Sequence, residues 1–169
     1  MIELLHPEPL TADAFLPFGE VIETEGRPFH YINQQQVQRY DDLAEVDVLA
    51  QDGRAGISLA HAQPYCLPLR VQVLERHPLS SQAFIPLAGA RFVVVVAPVG
   101  ERVEGHALRA FVTNGQQGVN YRRGVWHHVL LAVDQPATFV MIDRLGAGPN
   151  CDRIELAPAA QRLLAWREV

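Results

Sequence analysis

The chain has 169 residues, 49% of them hydrophobic, and a formal net charge of −5. That length suits one domain with a sizeable core, and the hydrophobic content argues against disorder. The acidic balance weighs against a nucleic-acid partner, and all fourteen basic residues are arginine, which excludes a lysine Schiff base and a lysine-bearing phosphate loop.

The N-terminus carries Glu3 and prolines where a signal peptide needs a basic start and an apolar run. Residues 11–19 read as a short helix, with Thr11 as N-cap and Gly19 as the stop. Residues 20–24 read as a first strand. Residues 38–49, with Tyr40, Leu43, Val46 and Leu49, read as a helical turn. Strands follow over 56–62, 69–77, 82–86, 91–97, 108–112, 118–122, 125–133 and 138–143. Short strands at this spacing predict an all-β sandwich or barrel, and nothing between them has room for crossover helices. The longest apolar run, 92–99, is broken by Pro98 and is too short to span a bilayer. Asn114-Gly115 signals a hairpin turn. The tail 158–167 has helical spacing and good helix formers, so a short C-terminal helix is expected. Cys66 and Cys151 lie far apart and form no metal-ligand spacing; idle or buried thiols in a reducing cytoplasm are expected, with one disulfide as the alternative.

The strand over 69–77 alternates Leu69, Val71, Val73, Glu75 and His77 on one face. If the apolar members point into a core, Glu75 and His77 go with them, and a buried charge needs a partner or a metal. In 125–133 the same alternation places His127 inward with Val125, Val129, Leu131 and Val133, and sends His128 to the other face with Trp126. His77 and His127 are therefore candidate metal ligands, beside Glu75; imidazole and carboxylate or amide donors suit Ni²⁺, Fe²⁺, Mn²⁺ or Zn²⁺. The plainer reading is that both histidines are core residues satisfied by hydrogen bonds. Tyr121 could reach the same pocket as a proton donor. Arg39 and Arg76 are candidates for binding a carboxylate. Asp143 and Arg144 read as a structural ion pair, with substrate contact as the alternative.

Glu75-x-His77, then Gln82 and Gly89, resembles the first cupin motif, with Glu75 in the first histidine position and Gln82 in the glutamate position, which implies Gln82 as a further metal ligand. Gly124-Val-Trp-His127 resembles the end of the second. A closer resemblance runs almost the full length. Phe18-Gly-Glu-Val-Ile-Glu-Thr24, Gln38-Arg-Tyr-Asp-Asp-Leu-Ala44, Leu74-Glu-Arg-His-Pro-Leu79, Gln82-Ala-Phe-Ile-Pro86, Arg109-Ala-Phe-Val-Thr-Asn-Gly115, Gly118-Val-Asn-Tyr121, Val125-Trp-His-His128 and Asn150-Cys-Asp152 look like bacterial ureidoglycolate lyase.

The resemblance implies a single cupin-like domain over 1–169, a double-stranded β-helix or jelly-roll barrel with short terminal helices. It implies a cytoplasmic homodimer that cleaves (S)-ureidoglycolate to glyoxylate and urea in allantoin and purine catabolism, with a divalent metal, Ni²⁺ by family usage. Elimination requires removal of the hydroxyl proton and protonation of the leaving nitrogen. Glu75 is the candidate base, Tyr121 or His128 the candidate donor, and Arg39 or Arg76 the carboxylate anchor. Two other functions stay open: a hydrolase that releases ammonia and carbon dioxide, and a non-catalytic cupin that binds a small acid.

Overall fold

The computed structural model describes residues 2–167. In chain order, β1 (Glu3–Leu5) and β2 (Glu8–Pro9) precede α1 (Ala12–Phe15), followed by β3 (Gly19–Ile22), β4 (His30–Ile32), β5 (Val37–Arg39), β6 (Arg54–Ala62), β7 (Leu69–Val71), β8 (Val73–Arg76) and β9 (Gln82–Pro86). Then come β10 (Phe92–Ala97), β11 (Arg109–Val112), β12 (Gly118–Tyr121), β13 (Trp126–His127), β14 (Leu131–Ala132), β15 (Ala137–Leu145), β16 (Asp152–Glu155) and β17 (Arg162–Leu164). The fold is all-β, as the spacing of short apolar runs predicts. Among the described residues no helix is long and apolar enough to cross a membrane.

Two large sheets face each other. One runs β16-β8-β13-β10-β11-β2, with β14 also on β10, and the other runs β3-β12-β9-β15-β6. The inner core between them draws Phe92, Val94, Val96 and Phe111 from the first and Val21, Phe84, Val119, Tyr121 and Phe139 from the second, all buried. The first sheet also buries its outer face. Leu74, Val93, Val95 and Trp126 pack there against Val71 and Leu164 of a small third sheet, β1-β17-β7. A strand buried on both faces reads as a continuous apolar run, which accounts for the uninterrupted valines of β10.

Thr11 caps α1, accepting from the Ala14 N–H at 3.2 Å. The helix is only four residues long because Pro17 lacks the N–H needed to continue it. The C-terminal helix expected over 158–167 is not formed. That segment is a turn followed by β17, which pairs parallel to β1 and antiparallel to β7. Pairing on both sides, with Leu164 fully buried, outweighs the modest helix propensity of an Ala-rich stretch too short to be helical alone. The helical turn expected over 38–49 is also absent. Its start completes the β4–β5 hairpin, Val46 and Leu49 are exposed, and Val48 is the buried residue instead. This segment is held by side chains, with the Asp47 N–H donating to Ser81 Oγ at 3.0 Å and Arg123 donating to the Asp47 carboxylate. Asn114-Gly115 is a turn between the two large sheets rather than a hairpin, since β11 and β12 belong to different sheets.

Candidate active site

Two register changes build the site. The stretch 69–77 is not one strand: it breaks at Gln72, so Val71 and Leu74 both face the outer core. Glu75, one residue after Leu74, then faces the opposite way, into the space between the large sheets. The second change follows His127. Val96 pairs with His127, but Val93 pairs with Leu131. One extra residue in the second strand is a β-bulge, which flips every side chain beyond it. His127 therefore stays with Val125 on the inner face, while Leu131 and Val133 turn to the outer core. The inward position expected for those two is thus corrected. Gly124, at φ +76°, makes the turn that leads into His127, and its N–H donates to the His77 carbonyl at 3.0 Å. That bond ties the two histidine-bearing segments together.

Across the first sheet, Arg153, Glu75 and His127 stand in register. Across the second, Tyr121 pairs with Gln82. The rows meet where the Tyr121 and His127 rings stack, centroids 4.3 Å apart. Glu75 Oε1 lies 3.7 Å from His127 Nε2. The His77 and His127 ring centroids are 5.2 Å apart, and one ligand atom each from Glu75, His77 and His127 lies within 4.8 Å of the others.

The hydrogen bonds fix what these imidazoles present. His77 Nδ1 lies 2.6 Å from the Asn150 carbonyl and His127 Nδ1 lies 3.0 Å from the Val125 carbonyl. A carbonyl only accepts, so each Nδ1 carries the proton and each Nε2 keeps its lone pair. Among the described residues five buried side-chain atoms lack a hydrogen-bond partner, and three of them are His77 Nε2, His127 Nε2 and Gln82 Oε1. Three unsatisfied acceptors on inward-facing residues beside a carboxylate are costly without a cation. Two lone-pair imidazoles, an amide oxygen and a carboxylate suit a divalent first-row ion, so the donor set fits a metal.

Burial sets the protonation states. It pushes the His127 imidazole down to about 3, with the nearby His77 adding to the effect and the Val125 hydrogen bond opposing it. It lifts the Tyr121 phenol far above its ordinary range, helped by the charge of Glu75. His128 is pushed down by burial, against the pull of its Val129 hydrogen bond and of Glu75. His128, Glu75, Val73, Arg70 and Arg153 line a cavity of about 210 Å³. Cys151 Sγ is 3.9 Å from Glu75 Oε2, and burial first, then Glu75, raises its thiol pKa, so it is no ready nucleophile. Both cysteines are free and exposed rather than buried.

Glu75, His77 and His127 are thus brought together, with Tyr121 against His127, Gln82 beside Tyr121 and His128 in the adjoining cavity. Arg39 and Arg76 are engaged with other partners. Arg39 lies in the exposed β4–β5 hairpin, 2.7 Å from Asp41. Arg76 points to the outer face, where it donates to Asp152 and the Gly100 carbonyl and covers the Trp126 ring. Arg144 does not pair with Asp143; it donates to the backbone carbonyls of Ala50, Gln51 and Ala147. The sequence reading missed Asn150, whose backbone orients His77 and whose side chain receives the Leu79 N–H and donates to Ser80 Oγ. It also missed Arg153, which strand register places opposite Glu75, and Arg70, which lines the same cavity.

Residues 2–162 match the family described as Ureidoglycolate lyase. Relatives with that name include the following three. The protein from Pseudomonas syringae pv. tomato is 53% identical over 145 residues, covering 86% of this chain and 85% of its own. That from Azotobacter vinelandii is 50% identical over 163 residues, covering 96% and 98%. That from Pseudomonas paraeruginosa is 50% identical over 160 residues, covering 95% of each.

Proposed function

The chain belongs to the ureidoglycolate lyase family, and from that premise we propose that it eliminates urea from ureidoglycolate, leaving glyoxylate, in the cleft of Glu75, His77 and His127. One observation carries the placement: the partnerless Nε2 atoms of two inward-facing histidines and the partnerless Gln82 Oε1 occur together with a carboxylate.

The reaction breaks one C–N bond and converts the carbinol to an aldehyde. The hydroxyl proton leaves to a base, the C–O bond becomes double, and the electron pair of the C–N bond departs with the ureido nitrogen, which takes up a proton. Glu75 is the base in this reading. Burial keeps Tyr121 protonated and His128 neutral at neutral pH, so Tyr121 is the better proton carrier of the two. A departing ureido nitrogen is a much stronger base than phenolate, so a raised phenol pKa does not prevent the transfer. His77, Gln82 and His127 would hold a divalent ion, Ni²⁺ in our assignment. When bound, such an ion lowers the pKa of a coordinated hydroxyl. Arg153 and Arg70 offer positive charge to the substrate carboxylate; Arg39 and Arg76 are already paired with Asp41 and Asp152.

The finer assignments belong to the same proposal. The two facing sheets form one cupin-like jelly-roll domain. The protein works as a cytoplasmic homodimer in allantoin breakdown; exposed Ile57 and Leu59 on the edge strand β6 support a second copy. Measurement of glyoxylate, urea and ammonia in one steady-state assay tests the reaction type. Urea formed one-for-one with glyoxylate supports elimination, and ammonia formed in its place excludes it.

A further inference from the structure

Along β15 the side chains of Phe139 and Met141 face the inner core, so alternation turns Asp143 the same way. Met141 pairs with Phe84 and Ile142 with Ala83; one more step along the ladder sets Asp143 beside Gln82. The inner-face row of the second sheet is therefore Tyr121, Gln82, Asp143. On its other side Asp143 pairs with Gly56, which puts no side chain over the carboxylate. Asp143 is half-buried, and among the described residues no ion pair or side-chain hydrogen bond reaches it. Its chain neighbour Arg144 faces the other way, bound to backbone carbonyls.

The Asp143 carboxylate thus stands with no donor, beside the Gln82 amide whose Oε1 would hold the ion. The reacting end of the substrate has its base in Glu75. The remaining part of ureidoglycolate is a planar ureido group, whose N–H and NH₂ present donors in parallel. A carboxylate accepts two such donors at once.

We infer that Asp143, next to Gln82, recognises the ureido group by accepting its N–H donors, and so determines which carbinol acids enter the site. The inference rests on the lyase reading of the cleft.

The test uses the full-length, metal-loaded protein with Asp143→Asn, the near-isosteric change, and Asp143→Ala. The substrate KM is compared with the inhibition constant of glycolate, which keeps the carboxylate and hydroxyl but has no ureido group. Metal content is measured alongside. The KM for ureidoglycolate should rise about ten- to a hundredfold, the range for loss of one hydrogen bond to a charged group, with glycolate inhibition and metal content unchanged. An unchanged KM overturns the inference, as does a parallel loss of glycolate affinity. Metal loss would make Asp143 a ligand instead and equally overturn it. Failure of both variants to fold assigns the residue to structure and ends the proposal. If the unaltered protein yields no glyoxylate, the lyase reading fails on its own. Calorimetric binding of ureidoglycolate and glycolate to the same variants then decides the role of Asp143 by the same comparison.

Discussion

The imidazole of His127 lies face to face with the phenol ring of Tyr121, planes 10° from parallel. Both are buried, and they come from different sheets, so this stack couples the two halves of the cleft. Tyr121→Phe keeps the stack and removes only the hydroxyl. We expect kcat to fall about a hundredfold or more, the usual worth of positioned proton transfer, with little change in melting temperature. An unchanged kcat in steady-state assays would move the donor role to His128.

Asn150 orients His77 from behind. Asn150→Ala removes the side-chain bonds to the Leu79 N–H and Ser80 Oγ and frees the loop whose carbonyl holds His77 Nδ1. Groups that orient a metal-bound histidine are worth about 10- to 100-fold in metal affinity. Titration of stripped protein with Ni²⁺ should show a loss of that order while the circular dichroism spectrum stays that of a β protein. Undiminished affinity would mean that His77 is held by other contacts.

Arg76 serves the outer core. Arg76→Gln removes its pairing with Asp152 and its cover of Trp126, at a cost of about 1 to 2 kcal/mol by the worth of a partly desolvated cation–π contact. Urea denaturation should register that loss, while KM at a temperature where the variant is folded should stay near the unaltered value. A large KM increase would return Arg76 to the substrate.

Sequence alternation turned Glu75, His77 and His127 inward because Glu75 and His127 sit on short apolar strands whose inward face is readable at period two, and His77 directly follows the first of them. It also carried the N-cap at Thr11 and the all-β class. What it could not supply were the places where the period shifts. The break at Gln72 and the extra residue after His127 leave no mark in composition, since valines and leucines lie on both sides of each. Val71, Leu131 and Val133 went to the wrong face for that reason. Arg76 looked like a free cation because its partners, Asp152 and the Gly100 carbonyl, arrive from distant segments. The tail looked helical because local propensity knows nothing of the two strands, β1 and β7, that flank it.

Protonation of His127 links stability to pH. In stripped protein its folded pKa lies near 3, below the ordinary 6.5. Between those values the unfolded chain binds the extra proton, so the stabilising contribution of neutral His127 is complete above about pH 6.5 and is lost as pH falls toward 3. The slope is about 1 kcal/mol per pH unit for one such proton. Chemical denaturation of stripped His127→Gln across this window should show a shallower dependence than the unaltered chain; identical slopes would mean that His127 does not titrate on unfolding.

The most direct test of the central assignment is turnover by Glu75→Gln and by His77→Ala, with glyoxylate and urea followed together and folding checked by circular dichroism. Both variants should remain folded and release the two products about 10² to 10⁴ times more slowly than the unaltered protein, as expected when a positioned proton acceptor or a ligand of the ion that activates the hydroxyl is lost. Unaltered rates in both would contradict the placement of the reaction between Glu75, His77 and His127.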